Sequence, residues 1–441
     1  MSEAIGDREI THRRVLKIAV PIVLANITVP ILGVVDTAVI GQMGLAAPIG
    51  AVGIGAIILS AFYWIFGFLR MGTTGLTANA LGAGRAGEVS AMLSRALLVG
   101  VAGGVFIIGC QVPLFAIAFW ASPASAEVEA LARDYMSIRV WSAPAMIALY
   151  GITGWLIARE RTTSVLLLQL WMNGLNIALD LWFVMGLGWG VEGVALATFM
   201  AEWSGLALGL WLCRDVLDNP AWRDRARILD AETLLRFASV NGDILLRSLM
   251  LQAIFVSFLF FGSGLGDVTL AANQVLMQFL TVSAFALDGF AFAAEALVGH
   301  ATGAKARAML RRGAILTSLW AFGAVCLLVG GFAFFSGAMI DMMATNEAVR
   351  ETARVFVPYL VVAPILGVFS FMLDGIFIGA TRTKDMRNMM AVSLAIYLAA
   401  VALLLPAIGN HGLWAAMLIS FVARGVTLGL RYPALERSVG G

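Results

Sequence analysis

Charged residues are scarce in this chain, and their scarcity decides its class. Of the 441 residues, 13% are Asp, Glu, Lys or Arg, whereas 61% are hydrophobic. A soluble surface normally needs about a quarter charged residues. A soluble globular protein is therefore excluded, and the chain is expected to be an integral membrane protein.

Residues that commonly hold metals or perform catalysis are also few. The cysteines and histidines are Cys110, Cys213, Cys326, His12, His300 and His411. The cysteine spacing matches neither a metal site nor a disulfide framework. The histidines form no HExxH motif, and no nucleotide-binding loop, basic block or repeated channel filter is found. We therefore expect no enzyme, no cofactor and no nucleic-acid partner.

Long apolar runs are what the sequence does contain. A helix needs about 20 apolar residues to cross a bilayer core of about 30 Å. Such runs recur at about 15–40, 45–69, 92–119, 136–158, 163–187, 191–212, 234–262, 268–298, 310–335, 354–380, 388–408 and 412–431. The sequence thus predicts an all-α polytopic membrane protein with twelve transmembrane helices.

The basic residues predict its orientation. On this map, 23 of the 29 Lys and Arg residues fall on one side of the membrane. Because Lys and Arg are retained in cytoplasmic loops, both termini are expected to be cytoplasmic. The residues on the other side are Arg133, Arg139, Arg350 and Arg354, and Arg70 and Arg247 lie near or within spans.

The second half of the chain repeats the first. The segment WSAPAMIALYGITGWLIARERTT (141–163) is similar to VVAPILGVFSFMLDGIFIGATRT (361–383), at an offset of about 220 residues. Six spans separate the copies, so the halves have the same orientation and are expected to be related by an axis along the membrane normal. We predict two six-helix lobes, 1–212 and 234–441, joined by a cytoplasmic linker at 213–233.

One face of the fifth span is polar. Its members, spaced i, i+4, i+7 and i+11, are Gln169, Asn173, Asn176 and Asp180. This spacing puts all four side chains on one side of a helix, which must look away from lipid. Polar residues of this kind often pack between helices, and that interpretation stays open for Gln169 and Asn173. A buried carboxylate costs more, so Asp180 indicates function.

Two further spans direct polar groups towards the same interior. Asp36 lies in the first span, and Thr198 and Glu202 lie one turn apart in the sixth. Two carboxylates in a low-dielectric site cannot both be charged at low cost, so one is expected to carry a proton near neutral pH. Alternatively, the oxygens of Asp, Asn and Thr coordinate a monovalent cation. Glu202 fits equally well a position near the exit to water.

The second half contains its own acidic residues. Asp288 and Glu295 are spaced i, i+7 on one face of the eighth span, and Asp374 lies in the tenth. They are candidates for a substrate or second ion site. Pairing with Arg70 or Arg247 is the alternative.

Four stretches carry a family resemblance. AVPIVLANITVPILGVVDTAVIGQMG, NGLNIALDLWFVMGLGWGVEGVALAT, LDGFAFAAEALVGHATGA and FMLDGIFIGATRT resemble the multidrug and toxic compound extrusion (MATE) transporters, specifically their DinF-like branch. The resemblance runs from about residue 10 to residue 432. It implies two six-helix lobes forming a V. It also implies export of organic cations or other amphipathic toxins, driven by inward flow of protons or, alternatively, sodium.

The resemblance also implies residue roles. The family's ion-coupling cluster falls on Asp36, Asn176, Asp180 and Thr198, and its bend-forming proline falls on Pro21. Proline removes a backbone hydrogen bond, so a bend at this position is physically reasonable. The implied protein is a monomer in the inner membrane of a bacterium. The alternative is a lipid-linked oligosaccharide flippase of the same superfamily, which would need a cavity rich in Arg and Lys.

Overall fold

The computed structural model describes residues 9–42, 46–121 and 125–440, which are mainly helical. A bilayer offers no hydrogen bonds, so a spanning segment must satisfy its backbone internally, as a helix does. In chain order the α-helices are α1 (His12–Gly41), α2 (Ala46–Trp64), α3 (Phe68–Gly82), α4 (Ala86–Gly109), α5 (Gln111–Ala121), α6 (Ala126–Arg139), α7 (Ala143–Ala158), α8 (Thr162–Asp180), α9 (Gly190–Leu212), α10 (Arg225–Ile228), α11 (Ala231–Ser263), α12 (Asp267–Gly303), α13 (Arg307–Met343), α14 (Glu347–Gly379), α15 (Thr383–Ile408) and α16 (Asn410–Ser438).

The predicted spans agree with these helices. Within the described residues, eleven helical segments are long and apolar enough to cross a membrane. In addition, α1 is 30 residues long and covers the first predicted span. The all-α polytopic fold is therefore confirmed.

One predicted span is interrupted. The run at 92–119 divides into α4 and α5, with Cys110 between them at φ −97° and ψ 8°. Pro113 has no N–H to donate to the carbonyl of Gly109, which explains why the helix breaks here.

The chain forms two compact units. The first unit consists of residues 24–77 and 85–235, and the second consists of residues up to 23, 78–84 and 236–441. Helix α1 passes from the second unit to the first between Val23 and Leu24. The lobe limits at 212 and 234, with a linker at 213–233, stay a prediction.

The backbone repeats the duplication seen in the sequence. Three residues with positive φ in the first half each have a counterpart with positive φ that lies 221 positions later. A left-handed conformation is unfavourable for most residues, so its recurrence at equivalent positions indicates a shared backbone plan. The pairs are Gly84 and Lys305, Glu160 and Thr381, and Gly188 and Gly409.

The same offset relates two close helix contacts. A Cβ atom added at Gly154 of α7 would overlap the carbonyl oxygen of Arg70 in α3. A Cβ atom added at Gly375 of α14 would overlap the carbonyl oxygen of Ala291 in α12, and both members of this pair lie 221 residues after their counterparts. Glycine is thus required at both positions because backbone meets backbone, as in small-residue packing of membrane helices.

The second unit encloses a cluster of charges. Asp374 of α14 accepts hydrogen bonds at one oxygen, Oδ2, from Arg247 of α11 and from Arg424 of α16, the latter at 2.7 Å. Asp374 and Arg424 are only 5% and 2% exposed. One turn before Arg247, Asp243 accepts a hydrogen bond of 2.7 Å from Arg387.

We expect Gly154→Ala and Gly375→Ala to lower the free energy of unfolding by about 1–3 kcal/mol each, because the added methyl group overpacks a backbone contact. Thermal unfolding of the detergent-purified protein measures this. The control is Gly323→Ala on α13, where nothing lies within 4 Å of the added Cβ. Equal stability of all three variants would contradict the required close approach.

We expect Asp374→Asn to lower the free energy of unfolding by about 3–5 kcal/mol, because it removes the buried carboxylate that pairs with Arg424 and Arg247. Asp341→Asn is the control, since Asp341 pairs with Arg354 at 2.5 Å with its side chain 42% exposed. An exposed pair contributes about 1 kcal/mol or less. If Asp374→Asn unfolds at the same temperature as the native protein, a structural role for this carboxylate is contradicted.

Candidate functional site

The C-terminal half of α8 carries the candidate site in the first unit. Asn173, Asn176 and Asp180 are 6%, 1% and 0% exposed, so these members of the predicted polar face are buried. Directly after Asp180 the chain widens into a π-helical turn, Leu181–Gly186. Such turns occur frequently at functional sites.

The Asn176 amide connects three helices. We assign its orientation from its neighbours, because the opposite one points its oxygen only at acceptors and its nitrogen only at donors. Its Nδ2 then donates to Asp180 Oδ2 and to Asp36 Oδ1, each at 3.2 Å. Its Oδ1 accepts from Thr198 Oγ1 at 3.0 Å and from the Thr198 backbone N–H at 3.2 Å. The structure therefore brings together all four residues of the predicted cluster.

The two carboxyl groups of this cluster also contact each other. Asp36 Oδ1 and Asp180 Oδ2 both accept from the same nitrogen, Asn176 Nδ2, so the two carboxyl groups lie side by side. Two adjacent carboxylates cannot both be charged at low cost in a low-dielectric site, so this arrangement favours one shared proton. Asp180 is fully buried, whereas Asp36 is partly exposed. Asp36 is thus the member of the pair that water can reach.

A second set of contacts fixes α1 against α8. Asn173 Nδ2 donates to Thr28 Oγ1 at 2.8 Å and to the Thr28 carbonyl at 3.2 Å. Gln169 Nε2 donates to Asn173 Oδ1 at 3.0 Å. These are packing contacts between helices. They hold α1 about two turns before Asp36.

A buried arginine lies beside the carboxyl pair. Arg139, at the end of α6, donates from Nη2 to Glu202 Oε1 at 2.6 Å and from Nη1 to the Tyr135 hydroxyl at 2.9 Å. The Tyr63 hydroxyl donates to the Arg139 carbonyl at 3.0 Å. The positive charge of Arg139 attracts both Asp36 and Asp180 electrostatically. The site therefore combines two adjacent carboxyl groups with a buried Arg–Glu ion pair.

The sequence did not identify Arg139 as part of the site. It is predicted to lie on the side opposite the cytoplasm, and in the structure it is 8% exposed within a helical segment, Ala126–Ala158, that is apolar enough to span. Tyr135 lies one turn before it, so the two polar groups share a helix face. The spacing of Tyr135 and Arg139 was the sequence signal that could have indicated a polar helix face here. Glu202, whose position the sequence left open, is the partner of Arg139.

Pro21 lies within α1, which remains helical from His12 to Gly41. It is partly buried and lies two residues before Val23, the last residue of α1 in the second unit. Its role as a hinge stays a prediction.

The acidic candidates of the second unit are separate from this cluster in the chain and differ in their surroundings. Asp374 is held by Arg247 and Arg424. Glu295 of α12 is 1% exposed, and Asp288, two turns earlier, is partly buried. A substrate or ion-binding role for these three residues stays a prediction. Among the described residues, no group of three or more His, Cys, Asp or Glu side chains could hold a metal ion.

Comparisons with known proteins are consistent over most of the chain. The MatE family model matches residues 21–182 and 244–404. The chain is 38% identical over 438 residues to DNA damage-inducible protein F of Escherichia coli (strain K12), with 96% of this chain and 91% of that protein covered. It is 25% identical over 384 residues to the probable multidrug resistance protein NorM of Synechocystis sp., with 82% and 79% covered.

Solved structures show the same fold. A crystal structure of MATE in the bent conformation superimposes with a TM-score of 0.86 at 17% identity, covering 97% of each chain. The resemblance inferred from the sequence is thereby confirmed. The family match spans more than half of the chain, and a relative is 38% identical over most of it. This multi-pass membrane protein therefore belongs to the MatE family, whose members are transporters and not enzymes.

Proposed function

We propose that the protein exports small amphipathic toxins, chiefly organic cations, in exchange for inward-moving protons, with Asp36 and Asp180 as the coupling carboxylates. The supporting observation is the meeting of these two carboxyl groups at the Asn176 amide inside a buried polar cluster. The relative named as a probable multidrug resistance protein supports the substrate class. We place the protein as a monomer in a bacterial inner membrane with both termini cytoplasmic.

The orientation of Asn176 favours protons over sodium. A sodium ion is bound by converging oxygen atoms, as hard cations generally are. In the orientation assigned above, Nδ2 of Asn176 directs its N–H groups at both carboxyl groups. These N–H groups stabilise negative charge on the carboxylates and repel a metal cation from the same space. The cluster is therefore better suited to exchange a proton than to coordinate sodium.

The proposed coupling step begins at Asp36, the partly exposed member of the pair. Loss of the shared proton leaves two negative charges side by side, which is costly at low dielectric. Arg139 partly offsets that cost, and an organic cation binding nearby offsets the rest. The deprotonated pair is thus stabilised by a nearby positive charge, whereas the pair that holds a proton needs less of this stabilisation.

Movement of α1 would convert this preference into alternating access. Thr28 and Asp36 tie one stretch of α1 to α8, and Pro21 lies before that stretch. A change in protonation can shift the population between two helix arrangements only if it favours one of them. Repulsion between Asp36 and Asp180 supplies that difference, and Pro21 provides the position at which α1 changes direction.

We expect Asp36→Asn and Asp180→Asn each to reduce pH-driven export of a fluorescent organic cation to the rate of protein-free vesicles, because neither variant retains the pair that exchanges the proton. Proteoliposomes with a pH gradient or a sodium gradient imposed separately measure this. Asp134→Asn, at an exposed position of α6, is the control and should transport normally. Normal transport by Asp36→Asn would overturn the proposed coupling. If the folded native protein exports no cation under either gradient, the proposed cargo is wrong and lipid-linked substrates are tested next.

We expect Asn176→Asp to slow pH-driven export about tenfold or more, because the substitution removes the donor shared by both carboxyl groups and adds an acceptor. Asn388→Asp, at an exposed position of α15, is the matched control. A cation site would instead gain an oxygen ligand from Asn176→Asp. If sodium-driven export persists in this variant, sodium and not the proton is the coupling ion.

A further inference from the structure

Two adjoining cavities lie on the surface of the second unit. One, of about 580 Å³, is lined by three arginines and a glutamate together with three apolar residues of α13, and we call it the head pocket. The other, of about 630 Å³, is lined mainly by apolar residues of α13 and α14, and we call it the tail groove. Arg311 and Ile315 of α13 line both cavities. The two cavities therefore form one continuous amphipathic surface.

The head pocket has an excess of positive charge. It is lined by Arg307, Arg311 and Arg312 and by a single acidic residue, Glu436. Arg307 pairs with Glu436 at 3.2 Å, and Arg312 pairs with Glu9 at 2.6 Å. Within residues 9–42, 46–121 and 125–440, no carboxylate lies within ion-pair distance of Arg311. Arg311 is exposed and is thus available to an anion.

The tail groove has the shape and chemistry of an acyl-chain site. Its floor is buried, with Ala314, Val368 and Met372 at 4% exposure or less. Its walls include Leu319 and Phe369, which are 55% and 61% exposed. The apolar surface of the groove is therefore accessible from outside the unit.

The length of the groove matches one leaflet. Arg311 and Phe322, at its two ends on α13, are eleven residues apart, which corresponds to about 16 Å of helix. Half of the hydrocarbon core of a bilayer is about 15 Å. A single acyl chain thus extends along the groove while its headgroup stays at the arginines.

We propose that this surface binds an anionic phospholipid, with its phosphate at Arg311, flanked by Arg307 and Arg312, and one acyl chain in the tail groove. Basic pockets between membrane helices recognise anionic headgroups in this manner. A zwitterionic lipid lacks the net charge that the head pocket selects. A cationic cargo molecule is repelled by the same arginines, so the surface is distinct from a path for such cargo.

The first test measures lipid binding by native mass spectrometry of the full chain, with phosphatidylglycerol and phosphatidylcholine of identical chains. We expect phosphatidylglycerol to bind more tightly. We expect Arg311→Gln to weaken its binding about fivefold, the factor for one basic group at an anionic headgroup. Arg236→Gln, which removes an exposed arginine of α11 outside the pocket, should leave binding unchanged.

The second test fills the tail groove. Ser318→Trp, within the groove, should weaken phosphatidylglycerol binding, whereas Leu327→Trp, at an 80% exposed position of the same helix, should not. Thermal unfolding checks that each variant is folded. Equal binding of the two lipids, or equal losses in Arg311→Gln and Arg236→Gln, would overturn the proposal. If free glycerol phosphate competes fully with phosphatidylglycerol, the site binds a small anion and not a lipid. These readouts do not involve transport, so they are independent of the proposed function.

Discussion

A charge buried among membrane helices needs an opposite charge or a proton, and this constraint organises both units. Arg139 is neutralised by Glu202, and Asp374 is held by Arg247 and Arg424. Each of these partners is a fixed side chain, because isolated ions are too costly to leave in a low-dielectric interior. In the proposed mechanism, the Asp36–Asp180 pair instead relies on a proton. It is the one of these three clusters whose neutralising partner is able to leave.

Duplication provided the two units with the same scaffold and different chemistry. The close contacts at Gly154 and Gly375 and the left-handed residues recur at an offset of 221 positions. The first unit uses this scaffold to hold two carboxyl groups around Asn176. The second unit places a carboxylate between two arginines. The backbone plan therefore constrains helix packing strongly, but it leaves the buried polar residues free to diverge.

Hydrophobicity and periodicity were sufficient to predict the helical fold and part of the site. The apolar runs predicted the spans because a helix must present about 20 apolar residues to lipid. The i, i+4 spacing of Asn176 and Asp180 placed both on one face. Asp36 and Thr198 were identified as polar residues within apolar spans, and the resemblance joined all four in one cluster. Their mutual hydrogen bonds depend on contacts between α1, α8 and α9, which no local pattern contains.

The ion pairs of the buried arginines were not predicted. Arg139 and Arg424 lie near the ends of predicted spans, where basic residues usually lie in loops or extend to the interface. In the structure their partners, Glu202 and Asp374, come from helices distant in sequence. A pairing between separate helices is not visible in the spacing of either helix alone. The break at Cys110 was missed for a simpler reason, since Pro113 lies within an otherwise apolar run.

The proposed sharing of a proton by Asp36 and Asp180 has an electrical consequence. With the proton bound, the pair carries one negative charge, and the adjacent Arg139–Glu202 pair adds none. When the proton is replaced by a monovalent organic cation, the total charge of the site is unchanged. Under the proposed exchange, both loaded forms of the protein therefore cross between their conformations with equal charge. The membrane voltage does no work on such a cycle, and the pH difference alone supplies the driving force.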